Sequence, residues 1–178
     1  MNLGVISTRY ARAIYEYAIG KDCDDAIYKE MSVLIRNFKL FPALRKALID
    51  PTVPQSKKIQ LLVTACGIKI NKVLEKAVEV IVKNGRADYM ENIALKYEII
   101  YRKAKDIIIV NLTTVDPANE ETKKALLEII PKEEGDTIEF RTKTDHSIIG
   151  GFILEIEDQR MDASVKNQLN QLKLDLTE

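Results

Sequence analysis

A chain of 178 residues has room for one large domain or two small ones, and a 46% hydrophobic share is enough to build a core. No run reaches the roughly 18–20 apolar residues that span a bilayer, and Arg9, Arg12 and Glu16 interrupt the opening segment too soon for a secretory signal. The chain therefore reads as soluble and retained where it is made. Its net charge of zero hides an asymmetry: residues 1–105 carry 19 Lys/Arg against 11 Asp/Glu, and residues 106–178 carry 8 against 16. Halves of +8 and −8 point to two domains with different surfaces and different partners, and any long-range attraction to nucleic acid or anionic lipid falls to the first half.

The first hundred residues have helical periodicity. Ile6, Tyr10, Ala13, Ile14, Tyr17 and Ala18 recur at the spacing of an amphipathic helix, with Gly20 as its stop. Asp24 and Asp25 are cap candidates for a second helix bearing Ile27, Met31, Leu34, Ile35 and Phe38. A third, around Leu44 to Leu48, stops where Pro51 and Pro54 enforce a loop. Ile59, Leu62, Val63 and Cys66 mark a fourth, closed by Gly67. Asn71 is placed to cap a fifth, with Leu74, Ala77, Val78 and Ile81 inward and Gly85 at its end. A sixth runs from about Ala87 to Ala104 through Met90, Ile93, Tyr97, Ile100 and Tyr101.

Beyond Ala104-Lys105-Asp106 the period changes. Ile107 to Val110 and Leu112 to Val115 are β-branched and read as strand. Asp116-Pro117 opens a helix with Leu126, Leu127 and Ile130 on its apolar face, closed by Pro131. A turn at 134–136 leads to an alternating strand over Thr137 to Lys143, with Ile138 and Phe140 on one side. Ile148 to Ile156 predicts another strand, and Asp162 or Ser164 caps a last helix carrying Val165, Leu169, Leu172 and Leu176. The fold class expected is α+β: a six-helix bundle over 1–104, then a small β-α-β-β-α domain over 105–178.

Catalytic chemistry is hard to find. Asp145-His146-Ser147 holds the one histidine, but neighbours in sequence rarely converge in space as a triad requires. Cys23 and Cys66 lack metal spacing and read as reduced, buried thiols. Gly150-Gly151 is not a phosphate loop, and glycines in a strand mark a bulge or a close backbone approach. Glu155 and Glu157 resemble a solvated strand edge. No catalytic residue, cofactor site or metal site is expected.

One feature exceeds an ordinary helical fold. On a helical wheel the second helix has an apolar arc of roughly 120°, as one-sided packing requires. The first spreads Ile6, Tyr10, Ala11, Ala13, Ile14, Tyr15, Tyr17 and Ala18 over roughly 200°. The fifth is similarly wide through Val73, Leu74, Ala77, Val78, Val80, Ile81 and Val82. Such a helix is either buried between neighbours or presents an apolar strip to a partner helix.

Three stretches then resemble one family. Arg9-Tyr10-Ala11-Arg12-Ala13-Ile14-Tyr15-Glu16-Tyr17-Ala18 is similar to a Y-A-x-A-aromatic-x-x-A opening. Asn84-Gly85-Arg86 closes the fifth helix, preceded by the proline-bounded linker and Lys57-Lys58. Asp145 to Leu154, with its Gly-Gly interruption, continues to Met161-Asp162-Ala163-Ser164-Val165 and Leu169. Together they resemble the delta subunit of the bacterial F-type ATP synthase, a relative of the mitochondrial oligomycin-sensitivity conferring protein. Glu155 and Glu157 depart from it, standing where the family often has a glycine or a basic residue.

The resemblance implies a non-catalytic stator component that links the catalytic head to the membrane-anchored peripheral stalk, so that proton-driven rotation is coupled to ATP synthesis. It implies that residues 1–104 receive an amphipathic helix from the N-terminus of an alpha subunit, between the first and fifth helices. Matching positions are Tyr10, Ala13, Ile14 and Tyr17 with Val73, Ala77, Val80 and Ile81, although core packing competes for Ile14 and Ile81. Residues 105–178 are implied to engage the b subunits of the stalk. The implied location is the cytoplasmic face of the bacterial inner membrane, with membrane contact only through the complex and no nucleic acid. The competing expectation is a helical RNA-binding or transcription-associated module, drawn from the +8 half; its weakness is that Lys and Arg spread around the helices without one aromatic-lined stripe. An enzyme acting through Asp145, His146 and Ser147 is the third.

Overall fold

The structure is a computed structural model describing residues 3–67, 69–117, 126–127, 130, 137–156 and 159–175. Two compact units divide it, Met1–Ala104 and Lys105–Glu178. The described part of the first is helical: α1 (Leu3–Ile19), α2 (Asp24–Leu40), α3 (Pro42–Ile49), α4 (Gln55–Cys66), α5 (Lys72–Lys83) and α6 (Met90–Ala104), with a 3-10 turn at Ala87–Tyr89 before α6. Ile27, Met31, Leu34 and Phe38 of α2 are buried in the interior, as are Leu62, Leu74, Val78, Ile81, Met90, Ile93 and Tyr97. Tyr28 stacks on Tyr101 at 4.2 Å, and Tyr15 meets Tyr97 edge-on. The Tyr101 hydroxyl donates to Asp25 (2.6 Å), which gives the polar end of a buried ring its partner.

Helix ends follow local chemistry, with one departure from expectation. Helix α1 stops at Ile19, just before Gly20 as expected; the turn that follows is closed by Asp22, which takes φ 51°, so that the Cys23 N–H donates to the Ala18 carbonyl at 3.1 Å. A short polar side chain tolerates this left-handed geometry. Cys23 is the residue before α2, while Asp24 and Asp25 lie in the first turn and act on its positive end through charge. Asn71 does cap α5, its Oδ1 accepting from the Val73 N–H at 2.9 Å.

The second unit is a four-stranded sheet of order β2-β1-β3-β4, with β1 (Ile107–Thr114), β2 (Thr137–Thr144), β3 (Gly151–Ile156) and β4 (Gln159–Ser164). Strands β1 and β2 are parallel; the other pairs are antiparallel. Val110, Leu112, Leu126, Ile130 and Leu154 form the core, flanked by Ile138 and Phe140. Leu126 and Ile130 are thus buried as the periodicity of that segment requires; residues 118–125, 128–129 and 131–136, on which the rest of the expected helix, Pro131 and the 134–136 turn fall, lie outside the described residues. The last helix, α7, spans Val165–Asp175. Its cap is Ser164, whose Oγ accepts from the Asn167 N–H (3.2 Å) while donating to Asp162 (2.6 Å).

Two expectations are corrected. Residues 148–156 are not one strand: His146–Ile148 is a 3-10 turn, and β3 begins at Gly151. Residues 159–164 are a strand that no apolar alternation announces, because Gln159-Arg160-Met161-Asp162 is held by antiparallel pairing with β3. Arg160 lies opposite Glu155 and pairs with it at 3.5 Å.

Gly151 sits at φ 75°, and a Cβ there would stand 2.2 Å from the Ala163 carbonyl oxygen. Gly85, at φ 68°, has open space around the same position. Gly85→Ala is therefore expected to cost about 1 kcal/mol through backbone conformation alone, and Gly151→Ala about 3 kcal/mol or more because β4 must also shift. Urea unfolding of the two variants checks this, and equal losses would refute the close-approach account.

Candidate partner-binding surface

The wide apolar arcs of α1 and α5 divide into two stripes each. On α1 the buried set is Ile6, Ser7, Ala11, Ile14, Tyr15 and Ala18. Tyr10, Ala13 and Tyr17 form a second line at i, i+3 and i+7; Tyr10 is half-buried, Ala13 exposed and Tyr17 53% exposed. On α5 the core takes Leu74, Val78, Ile81 and Val82. Val73, Ala77 and Val80 stand at i, i+4 and i+7 on the outer side, the first two half-buried and Val80 52% exposed. Of the eight positions matched to a groove, Ile14 (6% exposed) and Ile81 (1%) belong to the interior, as helical spacing puts them on the core side. The other six retain accessible surface. An alanine in the middle of each line keeps the surface low there.

A polar link ties the two helices at one end. Gly85 in the left-handed region lets the Arg86 N–H donate to the Ile81 carbonyl (3.0 Å) and the Gly85 N–H to Val82 (2.9 Å). This closure reverses the chain and carries the Arg86 side chain onto α1. There Arg86 Nη1 donates to the Tyr10 hydroxyl at 2.7 Å, and Asn84 Nδ2 donates to the same oxygen at 3.1 Å. The guanidinium carbon also lies 5.3 Å from the Tyr10 ring centre. Asn84-Gly85-Arg86 is thus a helix stop and an interhelix tie in three residues.

The other end of α5 rests on α2. Glu30 Oε1 accepts the Asn71 N–H at 2.7 Å, while its Oε2 is buried with no hydrogen-bond partner among the described residues. Burial pushes the Glu30 carboxyl up, partly opposed by the Asn71 N–H. Cys66 nearby is pushed up to about 12, chiefly by burial. Cys23 is only half-buried, contrary to expectation, and its thiol donates to the Ala18 carbonyl (3.6 Å); both cysteines are free.

No catalytic arrangement forms at 145–147. Asp145 Oδ1 accepts from the Ser147 N–H (2.9 Å) in an exposed turn, and the Ser147 side chain together with this N–H holds its carboxyl below the usual range. The imidazole of His146 is not drawn into that bond. Gly150 and Gly151 serve close packing: Val165 Cγ2 would lie 3.0 Å from a Cβ on Gly150, whose carbonyl accepts the Val165 N–H. Among the described residues no cluster of His, Cys, Asp and Glu could hold a metal, and no helix is long and apolar enough to cross a membrane. A cleft of about 760 Å³ between α2, α3 and α4, lined by Phe41, Leu44, Val53 and Leu61, went unsignalled because Phe41 falls at a helix break, outside any periodic stripe.

Fold and surface together define an α+β protein with a helical unit, a mixed-sheet unit and accessible apolar lines on α1 and α5. The family model for the ATP synthase delta (OSCP) subunit matches residues 6–176. The chain is 51% identical to ATP synthase subunit delta of Azobacteroides pseudotrichonymphae genomovar. CFP2, over 97% of this chain and 98% of that protein. It is 37% identical to the Phocaeicola vulgatus subunit, over 97% and 94%, and 34% identical to that of Parabacteroides distasonis, over 100% and 99%. A chain in the cryo-EM structure of the Toxoplasma gondii mitochondrial ATP synthase hexamer shares the fold, with TM-score 0.65, 21% identity and 97% of each chain covered. The chain belongs to the ATP synthase delta (OSCP) subunit family, which supplies a stator component of the F-type ATP synthase and a structural, not the catalytic, part of that complex.

Because Glu30 has a raised carboxyl in the fold, the native state holds a proton that the unfolded chain has lost once pH exceeds the ordinary glutamate range. Stability therefore declines as pH rises through that window. Glu30→Gln keeps an acceptor for Asn71 and removes the buried charge. It is expected to flatten this slope and to change stability at neutral pH by no more than about 1 kcal/mol. Thermal unfolding as a function of pH tests it; an unchanged slope would show that Glu30 is not its source.

Proposed function

We propose that the chain is a non-enzymatic holding subunit that ties the catalytic head of the synthase to its peripheral stalk. On this reading residues 1–104, as a six-helix bundle, receive the N-terminal helix of an alpha subunit along the outer stripes of α1 and α5. Residues 105–178 engage the b subunits. The protein then sits at the cytoplasmic face of the bacterial inner membrane and meets the membrane only through its complex. The observation that carries this is the pair of accessible apolar lines, Tyr10-Ala13-Tyr17 and Val73-Ala77-Val80, on two helices whose inner faces are already satisfied by the core.

The mechanism is mechanical. Rotation of the central stalk applies torque to the head, and the head must be kept from turning with it. A holder in that position needs slow dissociation. Apolar helix packing supplies it, since burial acts mainly on the off-rate. Ala13 and Ala77 let a partner backbone come close, while Tyr17 and Val80 supply area that is exposed until it binds.

Calorimetric titration of the full chain with a peptide of the alpha subunit's N-terminus is expected to show binding with a large negative heat-capacity change. Val80→Asp puts a charge on an exposed site, so it leaves the thermal midpoint near that of the parent. It is expected to weaken binding by about 100-fold or more, the consequence of desolvating an unpaired charge. Unaltered affinity in Val80→Asp would remove α5 from the interface.

A further inference from the structure

Resting on the proposed groove, we infer that it ends in a carboxylate clamp: Arg86 and Arg9 receive an acidic side chain of the incoming helix. Where α1 meets the turn after α5, a cleft of about 330 Å³ is lined by Ile6, Arg9, Tyr10, Ala13 and Arg86. Two of the five lining residues are arginines and none is acidic. Tyr10 and Ala13 also belong to the outer stripe of α1, so the cleft continues the apolar line.

Arg86 is held ready. Its Nη1 is engaged by the Tyr10 hydroxyl, its plane lies near the Tyr10 ring, and its backbone is fixed by the Gly85 closure. A guanidinium so ordered has little rotamer freedom left to lose, and its remaining N–H groups form the fork that suits a carboxylate. Four of the other six arginines already have acids: Arg45 pairs with Glu91, Arg102 with Glu98, Arg141 with Glu139, and Arg160 with Glu155 and Asp162; the remaining two, Arg12 and Arg36, do not line this cleft. Arg9 and Arg86 have no carboxylate partner among the described residues. Two adjacent positive charges repel until an anion arrives, so the site favours an acidic group over any neutral one.

The occupant is an amphipathic helix with Asp or Glu flanking its apolar stripe at the end that reaches Arg86. Tyr10 is the positioning residue. The clamp fixes what apolar stripes leave open, namely the direction and register of the helix, because complementary charge contributes specificity more than raw affinity.

The test is titration of the full chain and its Arg86→Gln, Arg86→Lys and Arg9→Gln variants with the alpha-subunit N-terminal peptide, at low and high salt. Arg86→Gln is expected to weaken binding about tenfold at low salt and to remove most of the salt dependence. Arg86→Lys keeps the charge but not the fork and should fall between. Arg9→Gln breaks no internal bond, so a loss there of about threefold cannot come from misfolding. Converting the peptide's acidic residues to amides one at a time should reveal one whose loss matters to the parent chain and not to Arg86→Gln. Should Arg86→Gln and Arg9→Gln both bind like the parent at each salt while Val80→Asp does not bind, the clamp is overturned and the groove stands. If the parent itself does not bind, groove and clamp fall together.

Discussion

A helix that is apolar over more than half its circumference cannot satisfy all of that surface against a single core. In this chain α1 and α5 share the condition, and the fold resolves it identically in both. The inner stripe, with Ile14 and Tyr15 on one helix and Leu74, Val78 and Ile81 on the other, closes the interior. The outer stripe is left accessible. Since the fold spends the inner stripes on its own stability, the outer ones can be offered to a partner without loosening the unit that carries them. Everything proposed here for the first unit depends on that division.

The same economy appears at the ends of α5. At its start Asn71 caps the helix and is itself held by Glu30 of α2; at its finish Gly85 closes the helix and delivers Arg86 to Tyr10 of α1. The helix bearing the exposed valines is thus fastened at both termini by polar bonds, which do not compete for its apolar surface. A rigid platform favours slow release of a bound helix, because little ordering remains to be done on binding.

The second unit obeys a different constraint, close backbone approach. Parallel pairing of β1 with β2 requires a crossover between them, and Leu126 and Ile130 from that stretch reach the core beside Val110 and Leu112. At the opposite edge Gly151 admits the Ala163 carbonyl and Gly150 admits Val165, so the start of α7 lies against the glycine corner. A Gly-Gly pair that could pass for a ligand loop is a packing device.

The sequence by itself determined the helices of the first hundred residues, the change to strand at Ile107, the Asn71 cap and the two wide arcs, because each depends on spacing within a few residues. It also carried enough of the motif pattern for the family to be legible in Tyr10–Ala18, Asn84-Gly85-Arg86 and the Gly-Gly stretch. Only the tertiary structure decided how each wide arc divides, since a helical wheel gives width and not the direction of the neighbours: Ile81 is inward as its spacing predicts, while Ala77, expected inward with it, is half-buried on the outer line. The strand at 159–164 and the turn closure at Asp22 were likewise invisible: one is held by pairing with β3, the other by a left-handed dihedral angle beyond the helix stop. The meeting of Tyr10 with Arg86 spans seventy-six positions, and no local period encodes it.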